Sequence, residues 1–178
     1  MGGETGSNGP PQPTLEILPT PAGGNTTKFL DYLQRTDPNN LYPFLIVLPS
    51  GNLFIGTSRR SIQHHVTLLF VNLTGYYNEA RILEPVNFET IQVLPNMPGS
   101  VTSFLAGRTY PLEAASILLP QHAPYTDPVE ILVCGGSNFG IAIDNCVSIA
   151  PEVSGATWTI ERMVRFALTR FARFTYRI

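Results

Sequence analysis

Hydrophobic and polar residues alternate along most of the chain in short runs that end at proline, glycine or asparagine. The first strong run extends from Leu41 to Pro49, and after Ser50-Gly51 a second apolar run follows from Asn52 to Gly56. Two runs of strand length joined by such a turn predict a β-hairpin. Residues 1–40 are rich in Gly, Pro, Asn and Thr, and they predict a loop region with one brief strand at Leu15-Glu16-Ile17-Leu18.

A second set of strand-like runs follows a fixed order further along the chain. Its four runs are Ala114–Pro120, Val129–Gly136, Asp144–Ile149 and Thr157–Met163. Four short strands in this order, with a Gly-Gly pair after the second and a tryptophan on the fourth, predict one blade of a kelch-type β-propeller. Gly135 and Gly136 would permit a sharp turn beside a neighbouring strand. Trp158, on the outer strand, would pack between blades.

The spacing of the two sets predicts an insertion. Pro49 and Pro120 end corresponding runs and lie 71 residues apart, whereas a kelch repeat has about 50 residues. We assign the excess to residues 64–85, an atypical insertion that a retained intron would explain. The expected fold is therefore all-β in residues 1–163. It is a partial kelch-type β-propeller with about two four-stranded blades, preceded by an N-terminal strand and loop region.

Composition agrees with many short strands and excludes some partners. The chain has 16 prolines and 15 glycines, and only 13% of its residues are charged, as in all-β proteins with many turns. The net charge of −2 gives no indication of nucleic acid. No apolar run approaches the roughly 18 residues of a membrane span, and no signal peptide is recognisable at Met1-Gly2-Gly3-Glu4. Neither nucleic acid nor a membrane is expected as a partner.

The last 15 residues break the pattern. Residues 164–178 carry Arg165, Arg170, Arg173 and Arg177 and no acidic residue. They could form the basic face of a helix that binds a membrane or nucleic acid. The abrupt loss of the strand pattern favours off-frame translation instead. We therefore expect this basic tail to be foreign to the fold.

The two cysteines and two sequons are candidate modification sites. Cys134 ends one predicted strand and Cys146 begins the next, so the two could be close enough for a disulfide. Two buried free thiols are the alternative, and a zinc site would need further ligands that are not nearby. Asn25 and Asn72 begin Asn-X-Thr sequons and would be N-glycosylated in a secreted protein.

Several strings of the sequence resemble the propeller of fungal glyoxal oxidases, relatives of galactose oxidase. These strings are Asn40-Leu41-Tyr42-Pro43-Phe44, Leu48-Pro49-Ser50-Gly51-Asn52-Leu53-Phe54, Arg108-Thr109-Tyr110-Pro111-Leu112-Glu113, Ile131-Leu132-Val133-Cys134-Gly135-Gly136 and Asp144-Asn145-Cys146. The resemblance implies a secreted, extracellular copper radical oxidase. Such an enzyme converts aldehydes or primary alcohols with O₂ and releases hydrogen peroxide.

The resemblance also implies which parts of the enzyme this chain would lack. In that family two histidines and two tyrosines hold copper, and one tyrosine is cross-linked to a cysteine. These groups come from blades before and after the matched part, so no catalytic or copper-binding residue can be assigned here. Copper is thus expected in the parent family but not in this fragment, whose partners would be the remaining blades. Glu4 and Thr5 would lie on a loop at the substrate side.

The tyrosines and histidines that are present suggest packing rather than chemistry. Tyr42 and Tyr110 are expected to pack between blades and not to carry a radical. His64-His65 and Tyr76-Tyr77 could supply copper ligands, but adjacent residues of a strand point to opposite faces. The sequence therefore predicts an oxidase fragment without turnover of its own. The alternative is a kelch-type protein-interaction module.

Overall fold

In the part of the chain with a described structure, the regular secondary structure is almost entirely antiparallel strands. The computed structural model describes residues 12–20, 24, 26–37, 40–63, 73–100, 106–138 and 140–163, with the backbone alone at 60–63 and 73–75. The elements are β1 (Thr14–Glu16), β2 (Thr27–Phe29), α1 (Asp31–Arg35), β3 (Phe44–Val47), β4 (Leu53–Gln63), β5 (Leu73–Leu83), β6 (Thr90–Val93), β7 (Ala114–Leu118), β8 (Ile131–Gly135), β9 (Ser137–Asn138), β10 (Ile141–Ala142), β11 (Asn145–Ile149) and β12 (Thr159–Arg162). Within these residues, no helix has the length and apolar character that crossing a bilayer requires.

Sheet 1 is a four-stranded antiparallel meander in the order β3-β4-β5-β6. Its first hairpin is the one that the sequence predicts, with Val47 opposite Leu53. The turn closes with a hydrogen bond of 2.9 Å from the Gly51 N–H to the Leu48 carbonyl. Gly51 has a φ of +87°, a conformation that glycine adopts without steric cost.

Sheet 2 repeats this architecture in the order β7-β8-β11-β12. Between β8 and β11 the chain forms the small hairpin β9–β10. The predicted all-β fold class, with two four-stranded sheets as the two blades, is confirmed.

The predicted insertion at 64–85 is wrong for residues 73–83. These residues form β5, which pairs with β4 along 11 residues and with β6 on its other side. Ala80, Ile82 and Leu83 of β5 are buried, so the strand belongs to the core of sheet 1. The remainder of the predicted insertion up to residue 72 lies outside the described residues.

The main core lies between the two sheets. Phe54 of β4 and Ile82 of β5 face Val133 of β8 and Val147 of β11, and Phe54 and Val133 are completely buried. Burying a side chain of this kind stabilises a fold by about 1.5–3 kcal/mol. The facing apolar surfaces therefore hold the two sheets together. Strand β3 of sheet 1 and strand β7 of sheet 2 contact each other directly.

The opposite face of sheet 1 is covered only in its middle. There β1, β2 and α1 place Leu15, Leu30 and Leu33 against buried residues of β4 and β5. Four apolar residues on the flanks of this face stay exposed, with the values Leu45 36%, Val47 63%, Ile91 55% and Val93 68%. We call these four residues the open flanks of sheet 1.

Candidate functional site at the junction of the sheets

Residues 106–109 connect the two sheets through their backbone. Gly107 pairs with Ser137 of β9, in the small hairpin between β8 and β11, by hydrogen bonds of 3.0 and 3.1 Å in the two directions, and the Arg108 carbonyl accepts from the Ala114 N–H of sheet 2 at 2.8 Å. The N–H groups of Arg108 and Thr109 donate to the Ser58 hydroxyl of sheet 1 at 2.9 and 3.0 Å. The Ser58 N–H in turn donates to the Thr109 hydroxyl at 2.8 Å. One short segment is thus bonded to both sheets.

Asn78 completes this junction from β5. The Ser58 hydroxyl donates to Asn78 Oδ1 at 2.6 Å. Asn78 Nδ2 donates to the carbonyls of Ala106 at 2.8 Å and Met97 at 3.2 Å. Because Asn78 is 1% exposed, these bonds replace the water that a buried amide would otherwise need.

The guanidinium of Arg108 lies at the centre of the junction and is completely buried. It donates four hydrogen bonds of 2.6–2.8 Å. The acceptors are the carbonyls of Pro98, Gly99 and Gly135 and the side-chain oxygen of Asn145. The fixed fork of a guanidinium suits several acceptors in one plane, which a lysine ammonium could not reach together.

None of these four acceptors of the Arg108 guanidinium is a carboxylate. Burial lowers the pKa of Arg108 to about 10, so the group remains protonated at neutral pH. Neutral oxygens from the end of β8, the start of β11 and the loop after β6 therefore compensate its charge. A buried charge of this kind strongly favours the arrangement of the surrounding segments in which all four acceptors are paired, since leaving them unpaired is costly.

The Gly-Gly pair allows the junction to close. Gly135 and Gly136 have φ values of +82° and +111°. A Cβ on Gly136 would lie 2.4 Å from the Gly107 carbonyl oxygen, which is far inside van der Waals contact. The predicted role of these glycines, a sharp turn beside a neighbouring strand, corresponds to this approach.

Aromatic residues connect the sheets at two further places. Tyr42, which precedes β3, and Tyr110, which precedes β7, meet edge to face with ring centroids 5.2 Å apart. Trp158, just before β12, lies 6.4 Å from the ring of Phe54 in sheet 1. Its indole N–H donates to the Pro95 carbonyl at 2.7 Å.

Cys134 and Cys146 form a disulfide across β8 and β11, where they are directly opposite each other. Their neighbours Val133 and Val147 face sheet 1. Because side chains alternate along a strand, the disulfide lies on the face of sheet 2 that points away from sheet 1.

An arginine cluster, defined as Arg35, Arg59 and Arg81, surrounds Glu79 and Tyr32 on the partly covered face of sheet 1. Arg35 forms a two-pronged ion pair with the Glu79 carboxylate, and Arg59 Nε lies 3.3 Å from Glu79 Oε1. The guanidinium carbons of Arg81 and Arg35 lie 4.9 and 5.6 Å from the ring centre of Tyr32.

Tyr32 forms the buried base of the arginine cluster. Its hydroxyl donates to the Glu79 backbone carbonyl at 2.7 Å, so the Glu79 carboxylate is left to the arginines. Burial, and secondarily the charge of Glu79, raise the pKa of Tyr32 well above its ordinary value of 10.0. Tyr32 therefore remains neutral throughout the physiological range.

The described residues do not fit the copper site that the family resemblance implies. His122, in the loop after β7, is the one histidine among them, whereas the copper site of that family takes two. His122, Asp127 and Glu130 line a cavity of about 370 Å³. Nowhere in the described part of the chain do three His, Cys, Asp or Glu side chains form a group that could hold a metal.

Several predicted site residues lie outside the described residues, namely Glu4, Thr5, Asn25 and Asn72. The structure brings together Tyr42 with Tyr110 and Cys134 with Cys146. Sequence reasoning assigned no role to Arg108 or to the arginine cluster. The available signal for Arg108 was a single charge among the uncharged residues 101–112.

Comparison with known proteins identifies one matching family and several relatives. The family described as Glyoxal oxidase N-terminus matches residues 7–167. A WSC domain-containing protein of Arthroderma benhamiae is 53% identical over 165 residues, which are 92% of this chain and 16% of that protein. The aldehyde oxidase GLOX1 of Arabidopsis thaliana is 29% identical, over 80% of this chain and 23% of its own length. A putative aldehyde oxidase, Art an 7 of Artemisia annua, is 30% identical over 84% and 26%.

The chain therefore spans between 16% and 26% of the length of these relatives. No solved structure matches it.

Proposed function

Because the chain belongs to the glyoxal oxidase N-terminus family, we propose that it is a segment of a glyoxal oxidase-like copper radical oxidase. It supplies two blades of a kelch-type propeller and has no turnover of its own. The parent enzyme would convert an aldehyde, O₂ and water into a carboxylic acid and H₂O₂, or a primary alcohol and O₂ into an aldehyde and H₂O₂. The two plant relatives named as aldehyde oxidases support this substrate class.

The observation that carries the proposal is the unequal covering of sheet 1. Towards sheet 2 its face is buried and joined by the Arg108 junction. On the other face the open flanks leave Val47 and Val93 more than 60% exposed. Apolar side chains that are exposed on one face of a sheet are candidate contacts for a partner. Further blades of the parent protein would cover it, and they are the partners that we propose.

Copper would belong to another part of the parent protein. When bound there, copper would supply the one-electron chemistry with O₂. The residues of this chain hold two blades in a fixed relation through Arg108, Ser58 and Asn78. Their contribution to the reaction is the shape and rigidity of the propeller.

We propose an extracellular location for the parent protein. A disulfide such as Cys134–Cys146 persists in oxidising compartments and is rare in the cytosol. Asn25 and Asn72 would carry N-linked glycans in that compartment.

The test is to measure bound copper and peroxide release for the purified chain with glyoxal or methylglyoxal as substrate. We expect neither copper at stoichiometric level nor peroxide above the rate without protein. A full-length member of the family serves as the positive control for both assays. Stoichiometric copper together with turnover would overturn the proposal that this chain is inactive.

A further inference from the structure

The arginine cluster contains more positive charge than its surroundings neutralise. Arg35 and Arg59 contact the Glu79 carboxylate, and Arg81 lies beside them on the Tyr32 ring and donates to the Thr90 hydroxyl. Within the described part of the chain, no other carboxylate lies in ion-pair range of these arginines. The cluster thus has a surplus of two positive charges. In a chain with only 11 basic residues, this concentration on one face of one sheet is unusual.

Three elements far apart in sequence create the cluster. Arg59 lies on β4, and Glu79 and Arg81 lie on β5 with their side chains on the same face, since Thr57 pairs with Glu79 and Ile55 with Arg81. Helix α1 adds Arg35, which is 44 residues from Glu79. The fold therefore brings the three guanidinium groups together at one place.

The cluster is open to ligands. The side chains of Arg35 and Arg59 are 38% and 43% exposed, whereas Glu79 beneath them is 15% exposed. The contact with Glu79 engages Arg59 through Nε. A guanidinium carries five N–H donors, so further donors of the exposed arginines can reach a ligand from solvent.

We propose that the arginine cluster binds a carboxylate group in addition to that of Glu79. Guanidinium forks match the planar geometry of a carboxylate, and the cluster already holds one carboxylate in this way. Two sources have this chemistry. One is a free carboxylic acid, the product class of aldehyde oxidation, and this source rests on the proposed function. The other is an acidic side chain of a neighbouring blade.

The experiment follows NMR signals of the isotopically labelled chain during titration with acetate, glyoxylate and N-acetyl-aspartate methylamide, against chloride at constant ionic strength. We expect saturable shifts at Arg35 and Arg59. A larger affinity for the two free acids indicates a small-molecule site, and a larger affinity for the aspartate derivative indicates a protein side chain.

Three variants make the result decisive. R59Q should weaken the affinity about tenfold, as loss of a charge-assisted contact implies. R162Q is the matched control, because Arg162 is also an exposed arginine near one carboxylate, with Nε 3.8 Å from Asp144, and it should leave the affinity unchanged. E79Q removes the competing carboxylate and should strengthen binding.

Circular dichroism of each variant shows whether it is folded. The proposal fails if the wild-type chain shows no saturable shift, or if R59Q and E79Q bind as the wild type does. The assay needs neither copper nor turnover. Turnover by this chain would therefore contradict the proposed function without affecting the evidence for the carboxylate site.

Discussion

At the residue scale, Arg108 shows how a charge can be buried without a counter-ion. Its four acceptors come from the loop after β6, the end of β8 and the start of β11. Gly99 and Asn145 are buried, so at least these two acceptors lose their partner when the guanidinium is removed. The side chain therefore acts as a cross-link between segments that are distant in sequence.

We predict that R108M lowers the free energy of unfolding by about 3 kcal/mol or more, since it leaves several buried acceptors unpaired. R108K should have an intermediate effect, because an ammonium keeps the charge but cannot match the fork geometry. Urea denaturation followed by circular dichroism measures both values. A loss below about 1 kcal/mol for R108M would contradict the structural role given to this residue.

The glycines and Arg108 differ in how far the sequence predicts them. Gly135 and Gly136 were predictable, because a Gly-Gly pair at the end of an apolar run constrains the backbone locally. The partners of Arg108 lie between 9 and 37 residues away, and no local pattern indicates them. A residue whose function depends on distant acceptors leaves almost no signal in a single sequence.

At the scale of elements, strand β5 shows why the repeat spacing led to the prediction of an insertion at residues 64–85. Its residues Asn78, Glu79 and Arg81 are polar, and they hide the alternation of a buried strand. In the structure Asn78 is satisfied by the junction, and Glu79 is satisfied by Arg35 from α1. Polar residues can occupy a central strand when distant elements supply their partners.

The turn between β5 and β6 depends on the Glu84 carboxylate. This group accepts the N–H of Val86 at 2.8 Å, the N–H of Asn87, and the N–H of Glu89 at 3.4 Å. These bonds, led by that of Val86, lower the pKa of Glu84 below its ordinary value of 4.5. The charged carboxylate thus stabilises the turn.

We predict that this stabilisation is complete above pH 4.5 and is lost as the pH falls through the lower pKa of the folded state. The sign follows because the unfolded state binds the proton more readily than the folded state does. NMR titration of Glu84 and of the Val86 amide measures the effect. E84Q should remove the pH dependence of that amide, and a Glu84 pKa at or above 4.5 would exclude the capping role.

At the scale of the whole molecule, the arrangement of sheets was more predictable than their contacts. Apolar runs and turn residues are local features, so two four-stranded sheets could be expected from the sequence. The same runs do not say which face meets which partner. Val47 and Ile46 are neighbours of similar character, yet Ile46 packs against the core between the sheets and Val47 is 63% exposed.

We predict that the isolated chain self-associates through the open flanks of sheet 1. V47E should reduce this association while changing the free energy of unfolding by less than about 0.5 kcal/mol, as is usual for exposed positions. Sedimentation velocity measures the association, and urea denaturation measures the stability.

I46E is the matched control on the same strand. Its side chain points to the core, so it should lower the free energy of unfolding by about 2–4 kcal/mol. If V47E associates as strongly as the wild type, the open flanks are not the surface responsible.

Trp158 gives the molecule an intrinsic optical probe. It is the one tryptophan of the chain, and its indole contacts Phe54 of the other sheet and the Pro95 carbonyl just after β6. Its emission spectrum will therefore change when the two sheets separate, even if the strands of each sheet stay paired. Comparing the emission with the circular dichroism of the strands would reveal whether the sheets part before they unfold.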